Sequence, residues 1–221
     1  MLVDGYCAEN RDPRMLADIF MVMEEFQLPD VTLSTYVDMN RPFYPNFSQE
    51  VLDNCLRDFE MPLSLNLSQL SMGQKKKAYM SFAIAAGTRY LFMDEPTNGL
   101  DIPSKRNFRK VITRNMSPER TLVISTHQLH DVESLLGHIV MMDQSHLLLD
   151  SAMDEIRAKY TFEYRQPQEM DDTVLYAEPT LQGNAVVRLR KPDEPVSQVN
   201  LELLFNAVYE GKIPAADNTI R

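Results

Sequence analysis

The sequence predicts an α/β fold built on a mainly parallel sheet, and three apolar runs carry that expectation. Residues 90–93 (Tyr-Leu-Phe-Met) are uncharged and end abruptly in Asp94 and Glu95. Residues 19–23 (Ile-Phe-Met-Val-Met) end in Glu24 and Glu25, and residues 121–124 (Thr-Leu-Val-Ile) end in Ser125, Thr126 and His127. Runs of this kind read as strands buried on both faces, as parallel sheets require. Stretches with helix start and stop signals separate them. In an open sheet of this class, ligands gather at the carboxyl ends of the strands.

Each element follows in order. Residues 1–5 read as a strand entering a turn, and residues 19–23 as a second, buried strand. Residues 33–59 carry apolar positions at helical spacing, broken by Arg41-Pro42-Phe43-Tyr44-Pro45-Asn46-Phe47. Proline stops a helix, and Ser48 supplies the start of the next one over residues 49–59. Ser71 caps a helix running through Ala78, Met80, Phe82, Ala83, Ile84 and Ala86 to a terminator at Gly87. Lys75, Lys76 and Lys77 add positive charge near its start and read as a solvated face. A helix over residues 104–114 leads to the strand 121–125, and a further helix covers residues 131–136. Residues 139–142 and 147–149 read as a hairpin closing the sheet, followed by a short helix over 153–160. Residues 166–172 are polar and contain proline, as a linker does. Residues 173–176 and 185–189 flank Gln182-Gly183-Asn184 as a hairpin. Val199, Leu203, Leu204, Ala207 and Val208 then mark an amphipathic helix. The expected organisation is a main domain over residues 1–160 and a small α+β C-terminal appendage over residues 161–221.

Composition narrows the class. A chain of 221 residues with 44% hydrophobic residues builds one large domain, or one domain and a small appendage. A net charge of −10 argues against a basic footprint for nucleic acid or anionic lipid, so no nucleic-acid partner is expected. Cys7 and Cys55 lack metal-ligand spacing and read as structural thiols in a reducing compartment, with a disulfide between them the other reading. No apolar run approaches the roughly 20 residues needed to span a bilayer, and no signal-like start is present. The expectation is a soluble, cytoplasmic protein.

The chemistry concentrates at the strand ends. A carboxylate at a strand tip beside a phosphate site, Asp94, is placed to hold Mg²⁺. Its neighbour Glu95 could orient or deprotonate an attacking water. An ordinary acidic turn would explain the same pair taken alone. Ser71, Gly73 and Gln74 begin a helix, whose free N–H groups and positive dipole end suit phosphate. His127, beyond the end of its strand, carries an imidazole that can donate or accept a hydrogen bond, and a lone histidine in such a place is usually structural.

Leu70-Ser71-Met72-Gly73-Gln74, the run ending in Asp94-Glu95, Asn98-Gly99-Leu100-Asp101 and Ser125-Thr126-His127 occur in one order. In that order they resemble the nucleotide-binding domain of ABC ATPases, a P-loop NTPase-like fold. The first is similar to the signature motif, the second to the Walker B strand with its catalytic glutamate, the third to the D-loop and the fourth to the switch histidine. The resemblance covers roughly residues 1–160 and implies a helical subdomain inserted over about residues 28–88. It implies ATP and Mg²⁺ as ligands, with Asp94 on the metal and Glu95 and His127 as the catalytic pair. Ser71, Gly73 and Gln74 would close on the nucleotide of a second ABC ATPase subunit, and Asp101 would link the two sites. An integral membrane permease would be the further partner, holding the protein on the inner face of the cell membrane.

Three features depart from the family pattern. Met72 replaces the first glycine of the signature pair. Glu24 takes the place of the Q-loop glutamine, with Gln27 one helical turn later; capping of the strand exit is the other reading of Glu24 and Glu25. No Gly-x-x-x-x-Gly-Lys-Ser/Thr occurs in the 221 residues, so the resemblance implies a chain that starts inside the domain, by truncation. Phe43, Tyr44 and Phe47 read either as contacts for the permease or as loop packing. Their string resembles an exporter-type bacterial subgroup encoded beside GntR-type regulators. Two other classes share the motifs: a soluble ABC ATPase outside transport, and a nonenzymatic remnant acting as a binding module.

Overall fold

The structure, a computed structural model, describes residues 2–214; Met1, placed by the sequence in the first strand, and residues 215–221 lie outside the described residues. The packing divides the chain between Asp131 and Val132.

In the first unit a small hairpin, β1 (Leu2–Val3) and β2 (Tyr6–Cys7), precedes the short helix α1 (Pro13–Ala17). β3 (Ile19–Val22) is followed by three helices, α2 (Leu33–Asn40), α3 (Gln49–Asp58) and α4 (Met72–Ala85). Then come β4 (Tyr90–Asp94), α5 (Ile102–Asn115), β5 (Thr121–Ser125) and the one-turn α6 (Leu129–Val132), at whose last residue the second unit begins. β3, β4 and β5 form a parallel sheet in that order. Their register aligns the rows Phe20–Leu91–Leu122 and Val22–Met93–Ile124 on one face, and Met21–Phe92–Val123 on the other.

The two faces have different fates. Phe20, Val22, Leu91 and Met93 are buried, and helix side chains cover them. Met21 is 50% exposed and Val123 44%, so burial on both faces, expected for a parallel sheet, holds on one face only among the described residues. Phe82 of α4 centres the covered side. Its ring lies 5.8 Å from Phe20, 5.3 Å from Tyr36, 5.9 Å from Tyr44 and 5.6 Å from Phe47. Tyr44 and Phe47 are therefore packing aromatics, while Phe43 is 69% exposed.

Short polar side chains cap the helix starts: α3 begins after Ser48 as the sequence predicts, while α5 begins at Ile102, two residues ahead of the expected start. Thr32, Ser48 and Asp101 each accept a backbone N–H from their own first turn. α4 stops at Gly87, whose φ of +66° suits glycine. A Cβ there would lie 2.4 Å from the Asn46 carbonyl oxygen, so the terminator also permits a close backbone approach.

The second unit opens with an antiparallel hairpin, β6 (His138–Asp143) and β7 (His146–Ala152), then α7 (Met153–Lys159). β6 and β7 form a two-stranded sheet of their own, a correction to the expectation that they close the central sheet. β8 (Tyr160–Arg165), β9 (Val174–Thr180) and β10 (Gly183–Leu189) make an antiparallel sheet in the order β8-β10-β9, and α8 (Leu201–Tyr209) lies against β9 and β10. The sequence boundary at residue 160 falls here, where α7 passes into β8. Residues 166–172 connect β8 to β9 within one sheet, and Arg165 ties that connection to Asp171 at 3.0 Å. Buried Arg188 is balanced by Glu163 at 2.9 Å and Glu194 at 2.8 Å.

Candidate functional site

β4 and β5 run parallel and in register as far as Asp94 and Ser125, so the chain leaves both strands side by side. That geometry alone brings Asp94-Glu95 against Ser125-Thr126-His127. The Ser125 hydroxyl donates to Asp94 Oδ1 at 2.6 Å. Glu95 has left-handed backbone, φ +42°, which costs a non-glycine residue about 1–3 kcal/mol unless its surroundings hold it. The surroundings do. Its N–H donates to the Ser125 carbonyl at 2.9 Å, and its own carbonyl accepts from Lys76 Nζ at 2.9 Å.

The Glu95 carboxylate is held as firmly. Oε2 accepts the Thr126 hydroxyl at 2.9 Å, and Oε1 accepts the His127 backbone N–H at 2.8 Å. His127 Nδ1 lies 2.7 Å from the same Oε1, a contact satisfied when Nδ1 carries the proton. The Glu95 side chain is 13% exposed and that of His127 73%, so the carboxylate is sheltered while the imidazole faces solvent. An ionised carboxylate has about four acceptor positions, which leaves room for a water beside these donors.

Glu24, just past β3, joins the cluster from the other side. Its Oε1 accepts Asn98 Nδ2 at 2.7 Å, and the Asn98 carbonyl accepts Lys76 Nζ at 3.0 Å. The exits of β3 and β4 and the first turns of α4 are thus connected through Lys76 and Asn98. Lys76 is 2% exposed, a correction to its reading as part of a solvated lysine face. Burial pushes its pKa down, and the carboxylates of Glu24, Glu95 and Asp94 oppose that shift.

At the start of α4, Ser71 and Gln74 form a capping box. The Ser71 hydroxyl accepts the Gln74 N–H at 3.3 Å, and Gln74 Oε1 accepts the Ser71 N–H at 3.0 Å. Met72 and Gly73 keep the N–H groups that have no partner four residues earlier in the helix. A Cβ at Gly73 would stand 3.1 Å from the Gly99 carbonyl oxygen, so the glycine lets α4 approach the 98–101 loop. Asp101 caps α5 through the Ser104 N–H at 2.9 Å, and that hydrogen bonding holds its carboxyl below the usual range.

The structure therefore gathers Asp94, Glu95 and His127 at one point, with Glu24 linked through Asn98. Ser71, Gly73, Gln74 and Asp101 lie on the flanking helix starts. Lys76, Asn98 and Thr126 are contributors that the sequence reading did not single out. Lys76 had a signal: it lies four residues before Met80 and seven before Ala83, on the buried face of α4.

Among the described residues no group of three His, Cys, Asp or Glu side chains could hold a metal unaided. One hard carboxylate at a strand tip does fit Mg²⁺, which takes one or two carboxylates and completes its shell with water and phosphate oxygens. No helix of the described residues is long and apolar enough to cross a membrane.

No protein-family model matches the chain. In sequence it is 24% identical over 143 residues to the ABC transporter ATP-binding protein YtrB of Bacillus subtilis, covering 64% of this chain and 49% of that one. It is 28% identical over 113 residues to the zinc uptake system ATP-binding protein ZurA of Listeria innocua, covering 50% and 44%. The chain spans about half the length of these relatives. Among solved structures it superposes on the ATP-binding subunit of an ABC transporter with a TM-score of 0.62 and 20% identity, over 70% of this chain and 67% of that one. A cobalt transport ATP-binding protein gives 0.57 and 16%, over 89% and 72%. These likenesses show the fold, that of ABC-type P-loop NTPase domains.

Proposed function

We propose that this chain, whose sequence relatives and structural neighbours are ATP-binding subunits of ABC transporters, belongs to the ATP-hydrolysing subunit of such a transporter. The observation that carries the reading is the in-register exit of β4 and β5, which seats the Glu95 carboxylate on the Thr126 hydroxyl and on His127 beside Asp94.

In this reading Glu95 accepts a hydrogen bond from the attacking water and takes up its proton as the water oxygen bonds to the γ-phosphorus and the bond from that phosphorus to the β,γ-bridging oxygen breaks, releasing ADP and phosphate. His127 orients that carboxylate through Nδ1–H and presents its outer edge toward the γ-phosphate. Asp94 would hold Mg²⁺, which when bound would supply positive charge to the phosphate oxygens. Glu24 lies at the same end of the sheet, joined to the 98–101 loop. Met72 and Gly73 offer N–H groups to the nucleotide of a second ABC ATPase subunit, while the Ser71–Gln74 box fixes their direction and Asp101 orders the adjoining loop. Two such subunits enclosing ATP drive a separate membrane permease, and the protein sits on the cytoplasmic face of the membrane through that permease. Nucleic acid has no part in the reading, in keeping with the net charge of −10.

Glu95→Gln in the full-length protein tests it. The amide keeps size and hydrogen bonding but removes the base, so hydrolysis should slow by about 10²-fold or more while ATP still binds. Closed dimers should then accumulate with ATP in size-exclusion chromatography. Asp94→Asn should instead weaken the dependence on Mg²⁺ and give few such dimers. Hydrolysis by Glu95→Gln at the parent rate returns the Asp94-Glu95 pair to the status of an acidic turn.

A further inference from the structure

Three lysines follow one another on α4, and only Lys76 is buried. A buried ammonium is unfavourable unless it is hydrogen-bonded and matched by opposite charge. Lys76 has both. Nζ donates to the carbonyls of Glu95 and Asn98 at 2.9 and 3.0 Å, and the carboxylates of Glu24, Glu95 and Asp94 act on it from nearby.

What those two carbonyls belong to matters more than their number. Glu95 has left-handed backbone, and its carbonyl belongs to the peptide that leaves that conformation. Asn98 is the residue whose side chain holds Glu24. Its own N–H donates to the Glu95 carbonyl at 3.2 Å, so the two groups gripped by Lys76 close one turn. Through that turn a single ammonium fixes the direction of the Glu95 carboxylate, on one side, and of Glu24, on the other. It also places positive charge among three carboxylates that would otherwise repel a polyphosphate.

We propose that Lys76 is a positioning residue for hydrolysis, holding the 95–98 turn so that Glu95 stays on Thr126 and His127 while Asn98 stays on Glu24. The proposal rests on the ATP-hydrolysing reading of the site. It differs from a purely structural role in what it expects of Lys76→Met, a substitution of similar shape that removes the donor and the charge.

Two measurements decide it. In the 221-residue chain, amide exchange of Glu95 and Asn98 should accelerate by about tenfold in Lys76→Met while the amides of residues 78–85 in α4 stay protected. Lys76→Gln, which keeps a donor and loses the charge, should fall between. In the full-length protein Lys76→Met should lower kcat for ATP by about tenfold or more with KM within about twofold, since the turn serves the reacting water rather than nucleotide binding. Parent-like exchange at Glu95 and Asn98 overturns the proposal, as does equal acceleration along the whole of α4 or an unchanged kcat. Should Lys76→Met fail to fold, the same two readings on Lys76→Gln decide. The exchange result needs no ATP, so it stands even if the parent full-length protein proves not to hydrolyse ATP, an outcome that would remove the proposed function instead.

Discussion

Phe82 shows how much one side chain can organise. It is fully buried and meets Phe20 of β3, Tyr36 of α2, and Tyr44 and Phe47 of the loop between α2 and α3. Phe82→Ala removes the centre of that cluster and should cost about 3–5 kcal/mol, a large part of a typical domain's stability. Denaturant unfolding followed by far-UV circular dichroism measures it; a loss under 1 kcal/mol, well below about 3, would mean that the neighbouring rings collapse into the space. This scale is also where the sequence was least legible. Asp94, Glu95 and His127 could be singled out because a charged or polar group directly after an apolar run is conspicuous. Lys76 was not singled out, because three adjacent lysines look alike until the helix is phased against Met80 and Ala83. Tyr44 and Phe47 are indistinguishable from exposed Phe43 by type and spacing alone.

The helix α4 owes its position to both of its ends. At its start the Ser71–Gln74 box holds two N–H groups, and at its finish Gly87 turns the chain where the Asn46 carbonyl leaves no room for a Cβ. Ser71→Ala should therefore cost about 0.5–2 kcal/mol, and Gly87→Ala more, since its backbone conformation alone costs an L-residue about 1–3 kcal/mol before the contact is counted. Thermal unfolding of the two variants should rank them in that order, and a Gly87→Ala protein as stable as its parent would show that the loop at Asn46 yields freely. Elements of this kind were readable from sequence because Ser, Gly and Pro act locally. β8 was not. Residues 160–165 alternate Tyr, Phe and Tyr with polar partners, but they follow α7 without a break and precede Pro167, so the expected helix ends at Tyr160, the expected linker begins at Gln166, and residues 161–165 fall between the two. Pairing with β10, which lies two dozen residues on, is what makes them a strand.

At the scale of the whole chain, the parallel sheet is the feature in tension with its surroundings. Sheets of this class are normally covered on both faces, yet the row Met21–Phe92–Val123 meets solvent with Met21 half exposed and Val123 nearly so. A contiguous apolar row is a surface on which proteins associate. The 221-residue chain should therefore bind a hydrophobic dye and show concentration-dependent association in sedimentation. The double substitution Met21→Thr, Val123→Thr places strand-forming β-branched side chains at both positions while making the two exposed ends of the apolar row more polar. It should lower dye binding and association severalfold while changing stability by no more than about 0.5 kcal/mol per site, as exposed positions allow. If the variant associates as its parent does, the surface responsible lies elsewhere, and the sheet face is tolerated bare. If it loses stability instead, the row is packed in solution and the exposed face does not persist there.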